Sequence, residues 1–448
     1  MHKQLKKKHG LIGTPILGLW TSTLGLFAGL TTIVLYGVAG PEFKESLGLS
    51  GAALGVLLSS PHLSKALLRI PFGAWVDEVG GKKPFLILLG CSILGLAGIT
   101  TLLYLYYPDE FDSSLFPILL FFGVLGGAGG ATFTVGAPKT SYWFAKHKQG
   151  YALGIYAGLG NIGPGVLNYV IPVLIGVIGL AAAYLSWLLF LIFATIVYAY
   201  FAMDSYYFQL KKKGESDENA KRIGRDLGQN MFPSGSTWES LKKSASNYRT
   251  WILVFLYTIS FGGGFTALTA WFPTYWTLFH GMNILNAGLL AAIFTIYGSL
   301  IRVPGGKLTD KYGGEIMAGI SFSIMAIGAL VLTLSSSFYP SFIGMIITGT
   351  GMGVANAAVF GLVPKYVPDA VGGASGWIGG VGGAGTLIII PLLGFFVDAY
   401  GQIGYARGFI VFVVLSILSA IISFALKSIL KRMPKSEYIH DLYIDKTK

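Results

Sequence analysis

The amino-acid sequence predicts an all-α membrane protein of twelve transmembrane helices, arranged as two pseudo-symmetric six-helix bundles. Three observations predict it. The 448 residues are 53% hydrophobic and only 12% charged, about half the charged fraction of a soluble domain. Apolar runs recur about twelve times between Pro15 and Lys427, each near the roughly 20 residues that cross a bilayer core of about 30 Å. Finally, the chain repeats itself. Arg69, Pro71, Gly73, Asp77, Gly80 and Gly81 recur at identical spacing as Arg302, Pro304, Gly306, Asp310, Gly313 and Gly314. A polytopic chain whose halves copy each other is built as two bundles related by an axis along the membrane normal.

Taken in order, the helices fall near 15–38, 52–77, 84–107, 115–137, 149–178 and 181–203 in the first half. In the second they fall near 250–278, 284–306, 316–337, 340–363, 371–398 and 405–428. The first follows a basic start (Lys3, Lys6, Lys7, Lys8) and reads as an uncleaved signal. The second and eighth carry the copied arginine motif. Pro138 and Lys139 precede the fifth, as Pro364 and Lys365 precede the eleventh. The fifth and eleventh share glycines at one constant offset: Gly150, Gly154, Gly158, Gly160 and Gly163 against Gly372, Gly376, Gly380, Gly382 and Gly385. The domains are therefore 1–203, a polar linker 204–249 centred on Lys211 to Lys213, and 250–448 with a basic tail. Within the linker, the stretch from Trp238 reads as a plain tether or as an amphipathic helix on the membrane surface.

The net charge of +12 would suggest nucleic acid in a soluble protein. Here the basic residues fill every second loop and both tails, while Glu42, Glu45, Asp109, Glu110 and Asp112 sit in the alternate loops. That pattern places both termini in the cytoplasm and excludes a nucleic-acid partner. The single cysteine, Cys91, forms no internal disulfide and no metal site.

Depth singles out the arginines. Arg69 and Arg302 each lie eight residues before an aspartate at the helix end, so about 12 Å deeper at 1.5 Å per residue. A charge at that depth costs about 2.5–3.5 kcal/mol. It faces a cavity and wants a partner, and no predicted helix interior offers a carboxylate. An anionic substrate is the natural partner, because the guanidinium fork bonds two oxygens at once and keeps its proton. The alternative is bonding to backbone carbonyls or snorkelling. Gly158, Gly160 and Gly163, with Gly380, Gly382 and Gly385, also match GxGxxG. No strand precedes them and no acidic residue follows, so they read as packing and hinge positions, and no cofactor is expected. Asn161 stands where the other half has Gly383, and is a ligand donor or an interhelical hydrogen bonder. Asp77 and Asp310 read as gate elements.

Together these residues resemble the nitrate/nitrite porter family of the major facilitator superfamily over roughly residues 15–430. The most specific parts are Leu68 to Pro71, Ala157 to Gly163, the glycines of 376–385 and Ala355 to Pro364. The resemblance implies a transporter, not an enzyme, working as a monomer in the cell membrane. It implies that Arg69 and Arg302 clamp nitrate or nitrite, that Asn161 assists, and that Tyr257 and Phe261 line the site, with Phe133 a weaker match. Lys65 departs from the family's small residue and is included among the expected substrate contacts. His62 and Lys139 are further cations that depart from it. Without an interior carboxylate, exchange of anions is expected ahead of proton symport, for which His62 is the deep candidate carrier. An oxalate/formate or other carboxylate antiporter is the rival reading.

Overall fold

The computed structural model describes residues 2–144, 149–229, 231–233, 237–367 and 370–431, and every regular element among them is helical. Twelve spans follow in order. The first six are α1 (Pro15–Thr31, extended by a 3-10 turn at Thr32–Val34), α2 (Gly51–Val79), α3 (Lys82–Tyr106), α4 (Ser113–Ser141), α5 (Gln149–Gly160 and Gly163–Ile178) and α6 (Leu180–Phe201). The others are α7 (Tyr248–Phe279), α8 (Ile284–Leu300 and Arg302–Tyr312), α9 (Gly314–Leu334), α10 (Phe338–Tyr366), α11 (Val371–Gly380, Gly382–Gly385 and Thr386–Tyr400) and α12 (Ile410–Lys431). Ten are long and apolar enough to cross a membrane by composition alone. Of the other two, α12 has a shorter apolar stretch, Ile410–Leu426. In α2, Ser59, Ser60, His62, Ser64, Lys65 and Arg69 dilute 29 residues of helix.

The spans are interrupted where the glycine pattern repeats. The regular helix of α5 breaks between Gly160 and Gly163, and α11 tightens into a 3-10 turn at Gly382–Gly385, the same repeat positions. α4 does likewise at Gly127–Ala131. α7 opens into a π-helix over Thr258–Thr266, which the sequence reading missed. A π segment shifts the side-chain register and commonly marks a functional site. It is held against α11, since a Cβ on Gly262 would lie 1.9 Å from the Gly382 carbonyl, and Thr386 Oγ1 donates to the Gly262 carbonyl.

One end of the molecule is tightly shut. There the Asp398 carboxylate of α11 accepts from the first backbone amides of α2, Gly51 N at 2.5 Å and Ala52 N at 2.8 Å. The positive end of a helix suits a carboxylate. Asn168 of α5 donates to the Thr269 carbonyl of α7 at 3.0 Å.

The opposite end carries the chain's beginning and residues 204–249. Among its described residues that segment holds three helices, Tyr206–Lys212, Asp217–Asp226 and Thr237–Ala245. Buried Asp204 accepts from the Lys82 amide at 2.8 Å, capping α3, and from Lys212 Nζ at 2.7 Å. Lys213 Nζ donates to the carbonyls of His9 and Gly10. The helix from Trp238 docks on α11: Gly373 N donates to Ser240 Oγ at 3.0 Å and Trp377 Nε1 to the Leu241 carbonyl at 2.9 Å. Trp238 itself stays exposed. A helix does form here, as one of the two expected forms has it, and Ser240 and Leu241 dock it on the backbone and tryptophan of α11. Asp204→Ala, which removes the acceptor for the Lys82 amide, is expected to lower stability by about 0.5–2 kcal/mol, the range of a lost helix cap. Thermal unfolding checks this, and an unchanged midpoint would deny the capping role.

Candidate functional site

The middle of the molecule holds a small cavity of about 10 Å³, lined by Lys65, Arg69, Asn161, Phe261, Phe265 and Thr269 among others, roughly room for one water molecule. Residues from α2, α5 and α7 meet there, so both halves contribute. The closure of the far end and the π segment of α7 bring them together.

Arg69 is 3% exposed. Its Nη1 donates to the Gly379 carbonyl of α11 at 2.6 Å, and its guanidinium lies 5.6 Å from the centre of the Phe133 ring. A Cβ on Gly383 would come within 3.1 Å of Nη1, so the glycine in Asn161's repeat position makes room for this arginine. Arg69 Nε is buried without a hydrogen-bond partner. Arg302 starts a fresh helical segment after the break at Ile301. Its stem is partly exposed while Nε and Nη2 are buried, both without a partner. The guanidinium carbon lies 4.8 Å from the centres of both Phe261 and Phe265. Those rings stack at 5.9 Å with 13° between their planes. Cation–π contact stabilises the charge by about 0.5–2 kcal/mol and leaves the N–H edge free.

Tyr257 lies between the halves. It interacts with both arginines and with Asn356, and packs on Phe261 at 5.1 Å and Phe360 at 4.9 Å. Phe133 stacks on Tyr156 at 6.2 Å. Of the expected residues, Arg69, Phe261, Asn161 and Lys65 thus line the cavity, while Arg302, Tyr257 and Phe133 stand behind them in contact with Phe261 or Arg69. Asn161 spends one amide hydrogen on the Ala157 carbonyl at 2.7 Å, one turn back on its own helix. Lys65 is fully buried and its Nζ has no partner. His62 is likewise buried with both ring nitrogens unpartnered.

Other expected residues lie elsewhere. Lys139 is fixed inside the first half, donating to Ser22 Oγ at 2.9 Å and lying 5.3 Å over Tyr198. It lines no part of the cavity. Its ammonium is turned instead to a hydroxyl and a ring of its own bundle. Asp77 accepts from Tyr142 Oη at 2.5 Å, an unforeseen partner. Asp310 sits on the last helical segment of α8, and its side chain lies outside the described residues. The glycines pack as small-residue contacts. Gly160 meets Leu26, Gly163 the Phe27 carbonyl, Gly380 meets Ile70, Gly382 meets Tyr257 and Gly385 meets Thr258, whereas Gly158 faces open space.

The sequence reading missed Asn356 and Phe265. Asn356 is a buried amide in an apolar span, itself a signal. Phe265 follows Phe261 by four residues, one helical turn. Among the described residues no group of His, Cys, Asp and Glu could hold a metal.

Comparison with known proteins now adds to this geometry. The profile of the Major Facilitator Superfamily matches residues 21–316 and 280–439. A probable nitrate/nitrite antiporter, NarK1 of Thermus thermophilus, is 28% identical over 432 residues, 90% of this chain and 89% of the relative. A probable nitrate transporter, NarT of Staphylococcus epidermidis, is 29% identical over 363 residues, 81% of this chain and 84% of the relative. Among solved structures, the xylose transporter XylE of E. coli in a partially occluded inward-open conformation superposes with a TM-score of 0.70. That match has 16% identity and covers 94% of this chain and 100% of that one, a likeness of fold alone.

Proposed function

The chain belongs to the Major Facilitator Superfamily, and on that premise we propose that it exchanges nitrate and nitrite across the cell membrane by alternating access. The observation that carries the reading is the pair of unpartnered donors on Arg302. Nε and Nη2 are neighbouring N–H groups on one guanidinium, both buried, beside a second buried arginine at the repeat-equivalent position. An uncompensated buried charge is costly, and a bound anion removes that cost. Nitrate is flat and delocalised. The planar fork of Arg302 offers two parallel bonds to two of its oxygens, while Phe261 and Phe265 hold the fork in plane. Arg69 Nε and the Tyr257 hydroxyl supply further donors. The names of the NarK1 and NarT relatives support the same substrate class.

The coupling follows from what faces the cavity. Among the described residues none of those lining it is an Asp or Glu, so no carboxylate is at hand to carry a proton in. Each half-cycle then returns with the opposing anion on the same arginines. The bundles 1–203 and 250–448 rock about this centre as a monomer, joined by 204–249. Both termini are cytoplasmic by the excess of basic residues in the loops on their side.

Proteoliposomes loaded with nitrite and diluted into labelled nitrate test this. Uptake is expected only when an anion is present inside. Uptake driven by an imposed proton gradient into anion-free vesicles would overturn exchange. Competition by oxalate but not by nitrite would move the protein to the carboxylate carriers.

A further inference from the structure

Lys65 is the buried group that the arginine clamp does not use. It lies four residues before Arg69 on α2, hence one turn toward the far end and on the same face. It is fully buried, it lines the central cavity and its Nζ has no hydrogen-bond partner. Its stem runs across Gly130, where a Cβ would come within 2.7 Å of Lys65 Cγ. Helix α4 thus leaves a channel for this side chain at its glycine-rich 3-10 turn. Beside Lys65 the cavity is lined by Asn161, Thr266, Thr269 and Thr295. Asn161 keeps one amide hydrogen unspent, and each threonine hydroxyl donates to a carbonyl one turn back, a bond that rotation about χ1 trades for an anion.

Two cationic side chains, Lys65 and Arg69, line this cavity and a third, Arg302, lies against the Phe261 and Phe265 rings that line it, so one bound monoanion leaves most of the positive charge unmatched. A buried ammonium with no carboxylate among the residues lining its cavity either gives up its proton or takes an anion. The hydroxyls and amide around Lys65 are neutral donors, suited to an anion and unable to replace a carboxylate. We infer that Lys65, Asn161 and the hydroxyls of Thr266, Thr269 and Thr295 form a second station for a small monovalent anion, one helical turn beyond the clamp toward the far end. The inference rests on the proposed clamp reading, in that the station lies in line with it. Its occupant is either a second substrate anion or a halide, and the small size of the cavity suits either only with slight opening. An anion at Lys65 stabilises the charge there. It also waits next to the clamp, where it repels the anion already bound and favours its release on the opposite side.

The test is anion stoichiometry in purified full-length protein in nanodiscs. Equilibrium dialysis against nitrate in chloride-free buffer, and against nitrate with radiolabelled chloride, separates the two sources. In the wild type two anions per chain are expected: two nitrates without chloride, or one nitrate and one chloride. Lys65→Met is expected to bind a single nitrate and no chloride, and the retained nitrate shows that the variant is folded. Thr269→Val, a milder change in the same pocket, is expected to weaken only the second anion. A single anion in both wild type and Lys65→Met would overturn the second station and leave the clamp standing. No anion in the wild type would overturn both.

Discussion

Arg302→Lys is expected to weaken nitrate binding by about 10- to 150-fold. The lysine keeps the charge but loses the fork. Its single ammonium cannot present the two parallel donors that Nε and Nη2 offer, nor lie flat over Phe261 and Phe265 at 4.8 Å. A hydrogen bond to a charged group is worth about 1.5–3 kcal/mol, and each 1.4 kcal/mol is about tenfold in affinity. Arg69→Lys should fall in the same range, with an added loss of the bond to the Gly379 carbonyl that ties α2 to α11. Nitrate binding by calorimetry, with counterflow in proteoliposomes beside it, reads the effect. Unchanged affinity in both variants would remove the arginines from the substrate site.

The second large effect is expected at the far end, away from any anion. Gly394→Val should abolish exchange while leaving nitrate binding in place. A Cβ at Gly394 would lie 2.0 Å from the Gly51 carbonyl. The backbones of α11 and α2 can meet there only without a side chain. A Cβ at Gly288 of α8 would likewise lie 2.2 Å from the Asn168 carbonyl of α5, and one at Gly55 of α2 would lie 2.7 Å from the Ile390 carbonyl of α11, so glycine contacts seal this end alongside the Asp398 bonds. Overpacking costs about 1–3 kcal/mol, and 1.4 kcal/mol shifts a two-state balance about tenfold. The variant is therefore held open at the far end. Leu54, fully buried one turn inside α2, reports this. In a Cys91→Ser background, Leu54→Cys should be labelled by a thiol reagent much faster when Gly394→Val is present. Equal labelling, or full exchange activity, would show that the glycine contact is no gate.

Much of this molecule is legible from its residues in order. Composition and run length placed twelve spans close to where they stand, and the repeated arginine motif marked both guanidinium groups. The resemblance added Tyr257, Phe261 and Phe133, which the structure places around those arginines. The misses have a common cause. Lys139 near the end of α4 and Lys65 in the middle of α2 both read as cations near the site, and nothing in their local sequence says that only Lys65 faces the cavity. Lys139 meets Ser22 from α1, 117 positions away, whereas Lys65 meets no partner. The docking of the Thr237–Ala245 helix on α11 likewise depends on Trp377, 136 positions beyond Leu241.

The sequence by itself determined that the chain is a duplicated bundle of membrane helices with one deep arginine in each half. Hydrophobic length and repeat spacing are local properties, and the cost of a charge in hydrocarbon holds whatever the fold around it. Only the tertiary structure decided which donors remain free. That depends on where α7 opens into its π-helix, where α11 tightens opposite Gly262, and which carbonyl Arg69 reaches. Each of these is set by close backbone contact between helices far apart in the chain, and such contact is a matter of three-dimensional packing.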